Sequence, residues 1–341
     1  MEKNIRPVMP QDTPLVIATR EGLAENEHRG RICVVSPDDG GKLLASWGDV
    51  QASAFIRSTG KPLQAIEPLL GGVAEAFGWE DRHLAMMAAS QRGLPEQIEA
   101  LTEMRERADI PEEAFVFKAS APTHATSRDE WAKSGAVPRK IYHTCAGKHL
   151  GMLAWCKRMG WPLEGYAEPD HPAQRRITAR VREWLDAGEA ETAVGRDGCG
   201  LPVAAVPMWR TALAYARLAC PDAAPNAAAA AAAERVVRAM NRYPELVEGP
   251  GRLASILLAD PNIVAKSGAQ GLFTLGLRKE RLGIAVHLSD GSEAAWGPIV
   301  IALLEKYGGA SAETMERLRA RYPRVFRNDA GAEAGTWEVV F

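Results

Sequence analysis

Ser58 and Lys61 stand three apart in Arg57-Ser58-Thr59-Gly60-Lys61-Pro62. Spacing of three sets both side chains on one face of a helix. Pro62 fits only in a first turn, where its missing N–H costs no hydrogen bond. Serine is a weak nucleophile until a neighbouring base takes its proton. A lysine becomes that base when burial lowers its pKa, and S-x-x-K is a known arrangement for acyl transfer. The same residues also read structurally, with Ser58 as a helix cap and Lys61 in solvent.

A second group is His143-Thr144-Cys145-Ala146-Gly147-Lys148-His149, at the start of an expected helix, with Asp197-Gly198-Cys199-Gly200 in a glycine-rich turn. Two thiolates with a nitrogen ligand between them in sequence suit a borderline cation such as zinc. Cys145 and His149, four apart, could share a helical face. Two alternatives stay open. The cysteines could pack as small hydrophobes, or Cys145 could be a nucleophile at a helix N-terminus, where the dipole favours thiolate. Ser90 at a helix end, and Lys266 in the small-residue turn Val264–Gly271, are further polar singlets. A lysine in such surroundings is expected to be partly buried.

The elements that must position these groups follow from periodicity and turn signals. Segments 15–19, 31–35 and 43–47 read as strands, the last two joined by the turn Ser36-Pro-Asp-Asp-Gly-Gly41. Helices are expected over 63–77, 84–90, 95–108, 149–159, 173–185, 206–219 and 228–241. Strands return at 273–276 and 282–288, then a helix at 294–307 and a last strand at 337–341. Strands at both ends with helices between predict a mixed α/β (α+β) domain over 14–341, its antiparallel sheet built by both chain ends under a helical middle layer. Residues 1–13 read as a flexible arm.

Composition narrows the class. The 341 residues carry 41 basic and 43 acidic side chains, a net charge of −2, which argues against a general nucleic-acid binder. No signal peptide is visible, and the longest candidate apolar stretch, the alanines 227–233, is far too short to span a membrane. Five cysteines, an odd number, suggest reduced thiols and a cytoplasmic location.

Together, Arg57-Ser58-Thr-Gly-Lys61-Pro-Leu-Gln, Ala89-Ser90, Cys145-Ala-Gly-Lys148-His149, His171-Pro-Ala-Gln174, Asp197-Gly-Cys199-Gly, Pro244-Glu-Leu-Val, Ala265-Lys266-x-Gly-Ala and Asp290-Gly occur in the order of the L-asparaginase II family. The chain resembles that family from about residue 14 to its end. The resemblance implies a fold similar to serine β-lactamases and glutaminases. It implies hydrolysis of the side-chain amide of L-asparagine, or of a related small amide, and a homodimer. It also implies two serine–lysine pairs, Ser58 with Lys61 and Ser90 with Lys266, with Ser58 the first choice of nucleophile and Ser90 its rival. Zinc would be held by Cys145, Lys148 and Cys199, and substrate by Arg57, Gln91, His149 and Asp197.

Several segments depart from the family's pattern. Ser90-Gln91-Arg92-Gly93-Leu94 stands where S-H-S-G-E is usual, Thr144-Cys145-Ala146 where N-C-S is usual, and Ala269-Gln270-Gly271 for A-E-G. Phe117–Ser120 replaces a Cys-Gly stretch, and an arginine is lost at Glu293–Ala295. These changes fall on polar groups expected to line a small pocket, so a shifted substrate range, toward a larger amide or a lactam, is a second expectation. A zinc- or ligand-binding protein without catalysis is a third.

Overall fold

The computed structural model describes residues 9–341. Its main sheet is antiparallel throughout. The strands are β1 (Thr13–Arg20), β2 (Leu23–Ser36), β3 (Lys42–Trp47), β7 (Ile263–Ser267), β8 (Leu272–Leu277), β9 (Leu282–Leu288), β10 (Val325–Arg327) and β11 (Glu333–Val339), in the spatial order β10-β11-β1-β2-β9-β8-β7 with β3 also paired to β2. A small second sheet has the order β4-β6-β5, from β4 (Ser53–Phe55), β5 (Ala193–Arg196) and β6 (Pro202–Pro207). The sheet joins the two chain ends as expected, with Val16 opposite Val339 and Thr19 opposite Thr336.

Alternation along the strands divides the core. Cys33, Val35 and Ala285 face the helix Met208–Ala219 together with Met208, Ala212 and Leu213. Ile32, Val34, Ile284 and Val286 belong to the larger core that includes Ile299, Val300 and Leu303 of the helix Trp296–Tyr307. The first of these helices lies hard against the sheet. A Cβ on Gly283 would fall 1.9 Å from the Ala212 carbonyl oxygen, so only glycine permits that crossing. The helix Asp81–Ala88 sits in the middle layer, buried from His83 to Ala88, and packs against the helices Ala146–Met159 and Ala227–Arg242.

Four expectations are corrected. The helix expected over 63–77 is three short pieces, Lys61–Gln64, Ile66–Leu70 and Val73–Ala76, because Gly71-Gly72 interrupts it with Gly72 at φ +76°. The helix expected from Val206 begins only at Met208, since 202–207 pair as β6. The helix expected over 84–90 ends at Ala88, where Ala89 turns to an extended ψ of 148°. Lys266, read as part of a turn, lies in the buried strand β7. Of the arm expected over 1–13, residues 1–8 lie outside the described residues. Asp49 N–H donates to the Gln11 carbonyl, and the Asp12 carboxylate lies 3.7 Å from Arg31 Nε, so this stretch is tied to the body of the protein. Among the described residues, no helix is long and apolar enough to cross a membrane.

Candidate active site

The break after Ala88 brings Ser90 into the interior, where its hydroxyl lies between two lysines. Lys61 Nζ is 3.0 Å from Ser90 Oγ and Lys266 Nζ is 2.9 Å from it. Both lysines are fully buried and Ser90 is 5% exposed. Lys61 also donates to the carbonyl oxygens of Ala89 at 2.7 Å and Thr144 at 3.3 Å. Lys266 also donates to the Ser267 carbonyl at 3.0 Å and is ion-paired to Glu248. Burial lowers the pKa of Lys61. It lowers that of Lys266 to about 8, with Glu248 opposing the fall.

One protonation state accommodates all of these contacts. A neutral amine at Lys61 has two N–H groups for its two carbonyls and a lone pair for the Ser90 hydroxyl proton. An ammonium at Lys266 has three N–H groups for Glu248, Ser267 and the Ser90 oxygen. All polar atoms of the trio are then satisfied.

Ser58 lies nearby in the 3₁₀ turn Arg57–Gly60, which leads directly into Lys61–Gln64. Its hydroxyl is partly exposed and, among the described residues, makes no hydrogen bond, either to Lys61 or elsewhere. The structure therefore brings Ser90, rather than Ser58, to Lys61 while leaving Ser58 as the more open hydroxyl. The first hydrogen bond of the turn is Thr59 N–H to Ile56 O at 3.1 Å, so the N–H groups of Arg57 and Ser58 precede it and have no partner within the turn. Arg57 has φ +47°, a left-handed conformation costly for a residue with a Cβ. Gly268, just after β7, lets the strand end approach this turn, since its Cβ would fall 3.1 Å from Thr59 Cγ2.

Cys145, Lys148 and Cys199 converge on the far side of Lys61. Lys148 Nζ donates to Cys199 Sγ at 3.3 Å and lies 3.9 Å from Asp197 Oδ2. A hydrogen bond from Cys199, with the cation of Lys148, holds the Cys145 thiol well below its ordinary range against the opposing effect of burial. Burial opposes charge on Lys148, but the two sulfurs and Asp197 keep it protonated. Among the described residues, no three His, Cys, Asp or Glu side chains are placed to share a metal. A zinc ion here needs Lys148 as its third ligand, deprotonated on binding. Two sulfurs and one nitrogen, all nearly buried, fit such an ion with a fourth position open.

Of the residues expected to bind substrate, Arg57 and Asp197 are paired to each other at 3.4 Å. Gln91 is fully buried and its amide is consumed by main chain, donating to Ile141 and His143 carbonyls and accepting from Gly93 N–H. It braces the loop that presents Thr144 to Lys61. His149 is buried against Phe117 and Tyr166, with Nδ1 2.6 Å from the Tyr166 hydroxyl. Its Nε2 has no partner among the described residues. Burial, first of all, pushes its pKa well below the ordinary range, so it is neutral.

Glu248 was not singled out by sequence reasoning. Its signal is a lone carboxylate before Gly249-Pro250-Gly251, yet it is 1% exposed beside Lys266. Gly147 is the hinge of the thiol site. Its Cβ would fall 2.0 Å from the Met86 carbonyl, so it allows the helix bearing Lys148 to lie on the helix leading to Ser90. We expect Gly147→Ala to lower stability by about 3 kcal/mol, as overpacking does, measured by urea unfolding. A loss under about 0.5 kcal/mol would mean the two helices part freely.

An antiparallel sheet covered by helices thus gathers nucleophilic side chains and buried lysines at the end of β7. The chain belongs to the L-asparaginase II family, whose model matches residues 16–339. No curated protein matches it. Among solved structures, a β-lactamase from Mycobacterium bovis aligns at 15% identity and TM-score 0.37 over 82% of this chain and 94% of that one. Mglu aligns at 18% identity and TM-score 0.34, over 86% of this chain and 65% of its own length.

Proposed function

We propose that this protein hydrolyses the side-chain amide of L-asparagine, or of a related amide, by acyl transfer to Ser58. The observation that carries the reading is the Ser90 hydroxyl held between two buried lysines, one of which, Lys61, directly follows the turn that bears the more open Ser58. The order Ser58-x-x-Lys61, Ser90, Lys266-Ser267-Gly268 also follows that of serine acyl-transferring enzymes, whose third motif is K-T-G.

In the proposed reaction Ser58 Oγ attacks the amide carbon and neutral Lys61 takes its proton. The free N–H groups of Arg57 and Ser58 are donors for the developing oxyanion. Ser90 gives its proton to the departing nitrogen and is reprotonated from Lys61, so ammonia leaves and an ester remains on Ser58. Water then attacks the ester while Lys61 takes its proton, Lys61 returns that proton to Ser58 Oγ as the ester bond breaks, and the carboxylic acid departs. Lys266, as an ammonium, steadies the Ser90 oxygen through this exchange.

A second reading has Ser90 as the attacking group, favoured by its direct contact with both lysines. Its N–H is taken by the Val247 carbonyl at 2.7 Å, which removes its own main-chain oxyanion donor and supports Ser58 instead. A larger amide or a lactam as substrate is supported by Gln91, whose amide is fully engaged, and by the mutual pairing of Arg57 and Asp197.

Zinc belongs to the same proposal. Cys145, Cys199 and Lys148 would hold it, and it would supply a Lewis acid for orienting a polar group of the substrate. Asp197, which neighbours both Lys148 and Arg57, would orient the site. Five buried, unpaired thiols accord with a reducing, cytoplasmic setting. A homodimer, checked by light scattering, completes the reading.

The test is ammonia release from L-asparagine, L-glutamine and peptide amides, and ring opening of a β-lactam, with zinc titrated in. Cys199→Ser is expected to weaken zinc binding about 10-fold or more, read by metal content after dialysis. Turnover of none of these substrates by folded, zinc-loaded protein would overturn the hydrolase mechanism. Unaltered zinc content in Cys199→Ser would overturn the metal site.

A further inference from the structure

Glu248 closes the short helix Pro244–Glu248 and is followed by Gly249 at φ +100°, which turns the chain sharply away. The segment is docked on Ser90, whose N–H donates to the Val247 carbonyl at 2.7 Å. One oxygen of Glu248, Oε1, takes three partners. It pairs with Lys266 Nζ, accepts from Ser267 N–H at 3.0 Å and accepts from Ser267 Oγ at 2.6 Å. The carboxylate thus grips a lysine and its strand neighbour at the end of β7.

A carboxylate this deep is costly unless paired, and removing one member of a buried pair leaves the other uncompensated. Burial by itself would raise the pKa of Glu248, but Lys266 and the Ser267 hydrogen bonds bring it down to about 2. The group is therefore an anion wherever the protein is folded near neutrality. Lys266 has one remaining N–H for the Ser90 oxygen, and its direction follows from the two bonds that Glu248 and the Ser267 carbonyl take.

We propose that Glu248 is a positioning residue for the amide-cleaving site, holding Lys266 as an ammonium aimed at Ser90 and anchoring the strand end that carries it. This rests on the mechanism proposed above. Glu248 touches neither substrate nor attacking atom, and acts through Lys266. It separates the two lysines by role. Lys266 becomes the fixed cation, and Lys61, which donates to the Ala89 and Thr144 carbonyls, meets Ser90 and has no carboxylate partner among the described residues, becomes the base.

The charged surroundings set the sign of the pH effect. Lys266 faces Glu248, Lys61 across Ser90, and Arg92. Glu248 in turn faces Arg252, Tyr215 and Tyr322. Of these, Glu248 is the only anion facing Lys266, and the Arg92 guanidinium pushes Lys266 toward neutrality. Lys266 works as an ammonium, so the rate falls as pH rises through its pKa, near 8. Loss of the Glu248 charge lowers that pKa and moves the alkaline limb to lower pH.

The experiment compares wild type, Glu248→Gln and Glu248→Asp. In protein labelled with ¹³C at lysine Cε, the Lys266 signal is assigned with Lys266→Met and titrated by NMR. In Glu248→Gln we expect its midpoint to fall by about one unit or more, kcat at pH 7.5 to fall about 100-fold, KM to change far less, and the alkaline limb to move by the same amount as the midpoint. Glu248→Asp, which keeps the charge, should restore the midpoint and limb. It also keeps the test open if the glutamine variant does not fold. An unmoved Lys266 midpoint in Glu248→Gln, or a limb in Glu248→Asp shifted as far as in the glutamine variant, would overturn the proposal. Wild type without turnover on any amide would instead overturn the amidase mechanism, and the NMR titration would still decide whether Glu248 sets the charge on Lys266.

Discussion

Ser58→Ala is expected to fold normally and to release ammonia at least ~10⁴-fold more slowly than the parent, the scale on which a lost nucleophile acts. Folding should survive because the Ser58 hydroxyl makes no hydrogen bond among the described residues, so truncation strands no partner. The rest of the turn is held by Thr59 N–H on Ile56 O and by Tyr215 OH on Thr59 O at 2.8 Å. Rapid quench with a slow amide, then peptide mass spectrometry, should find the acyl group on the peptide that contains Ser58. An acyl group on Ser90, with Ser58→Ala still active, would exchange the roles of the two serines.

The second large effect is expected at Ser90. Ser90→Ala should lower kcat by about 10²–10⁴, the range for a positioned proton donor, with a smaller change in KM. Acylation should suffer most for substrates with poor leaving groups, since Ser90 is proposed to protonate the departing nitrogen. An activated ester, whose leaving group needs no proton, should be turned over much closer to the parent rate. Equal losses on amide and ester would show that Ser90 does not serve the leaving group. This variant should also cost stability, because Lys61 and Lys266 each lose a buried hydrogen-bond partner, worth about 1–3 kcal/mol per orphaned group.

The fold was legible where a segment is apolar along its whole length or punctuated by turns. Leu282–Leu288 matches β9 residue for residue, and Ser36–Gly41 is the expected turn before β3. The first half of β2, Leu23–Arg29, was missed because it reads Leu-Ala-Glu-Asn-Glu-His-Arg and is mostly exposed. Its strand character comes from pairing with β1, a tertiary cause that composition does not carry. β7 was missed for the opposite reason. Five residues, Ile-Val-Ala-Lys-Ser, are all buried, and the small residues running on to Gly271 argued for a turn.

At the site, the residue types and their grouping were legible, but not which serine meets which lysine. Spacing of three placed Ser58 beside Lys61 on the assumption of a regular helix. The 3₁₀ turn instead carries the Lys61 amine to Ser90, 29 residues away in sequence. Gln91 was assigned to substrate from its neighbourhood, while its hydrogen bonds run to main chain 50 and 52 residues on. Such partners depend on where a loop lies, and a sequence pattern has no term for that. Glu248 escaped notice because an isolated glutamate is ordinarily a surface residue.

The pairing of β1 with β11 bears on how the protein is made. Thr19 waits for Thr336, 317 residues later, for its hydroxyl partner. During synthesis β1 and the long β2 emerge as an open edge with no strand beyond β1, a surface prone to pairing with other chains. The main sheet can close only after β11 has left the ribosome. Closure of the sheet should therefore be late and slow, as nonlocal strand pairing generally is. Nascent chains stalled before residue 333 should be open to protease across β1, whereas chains extended past residue 339 and clear of the exit tunnel should not.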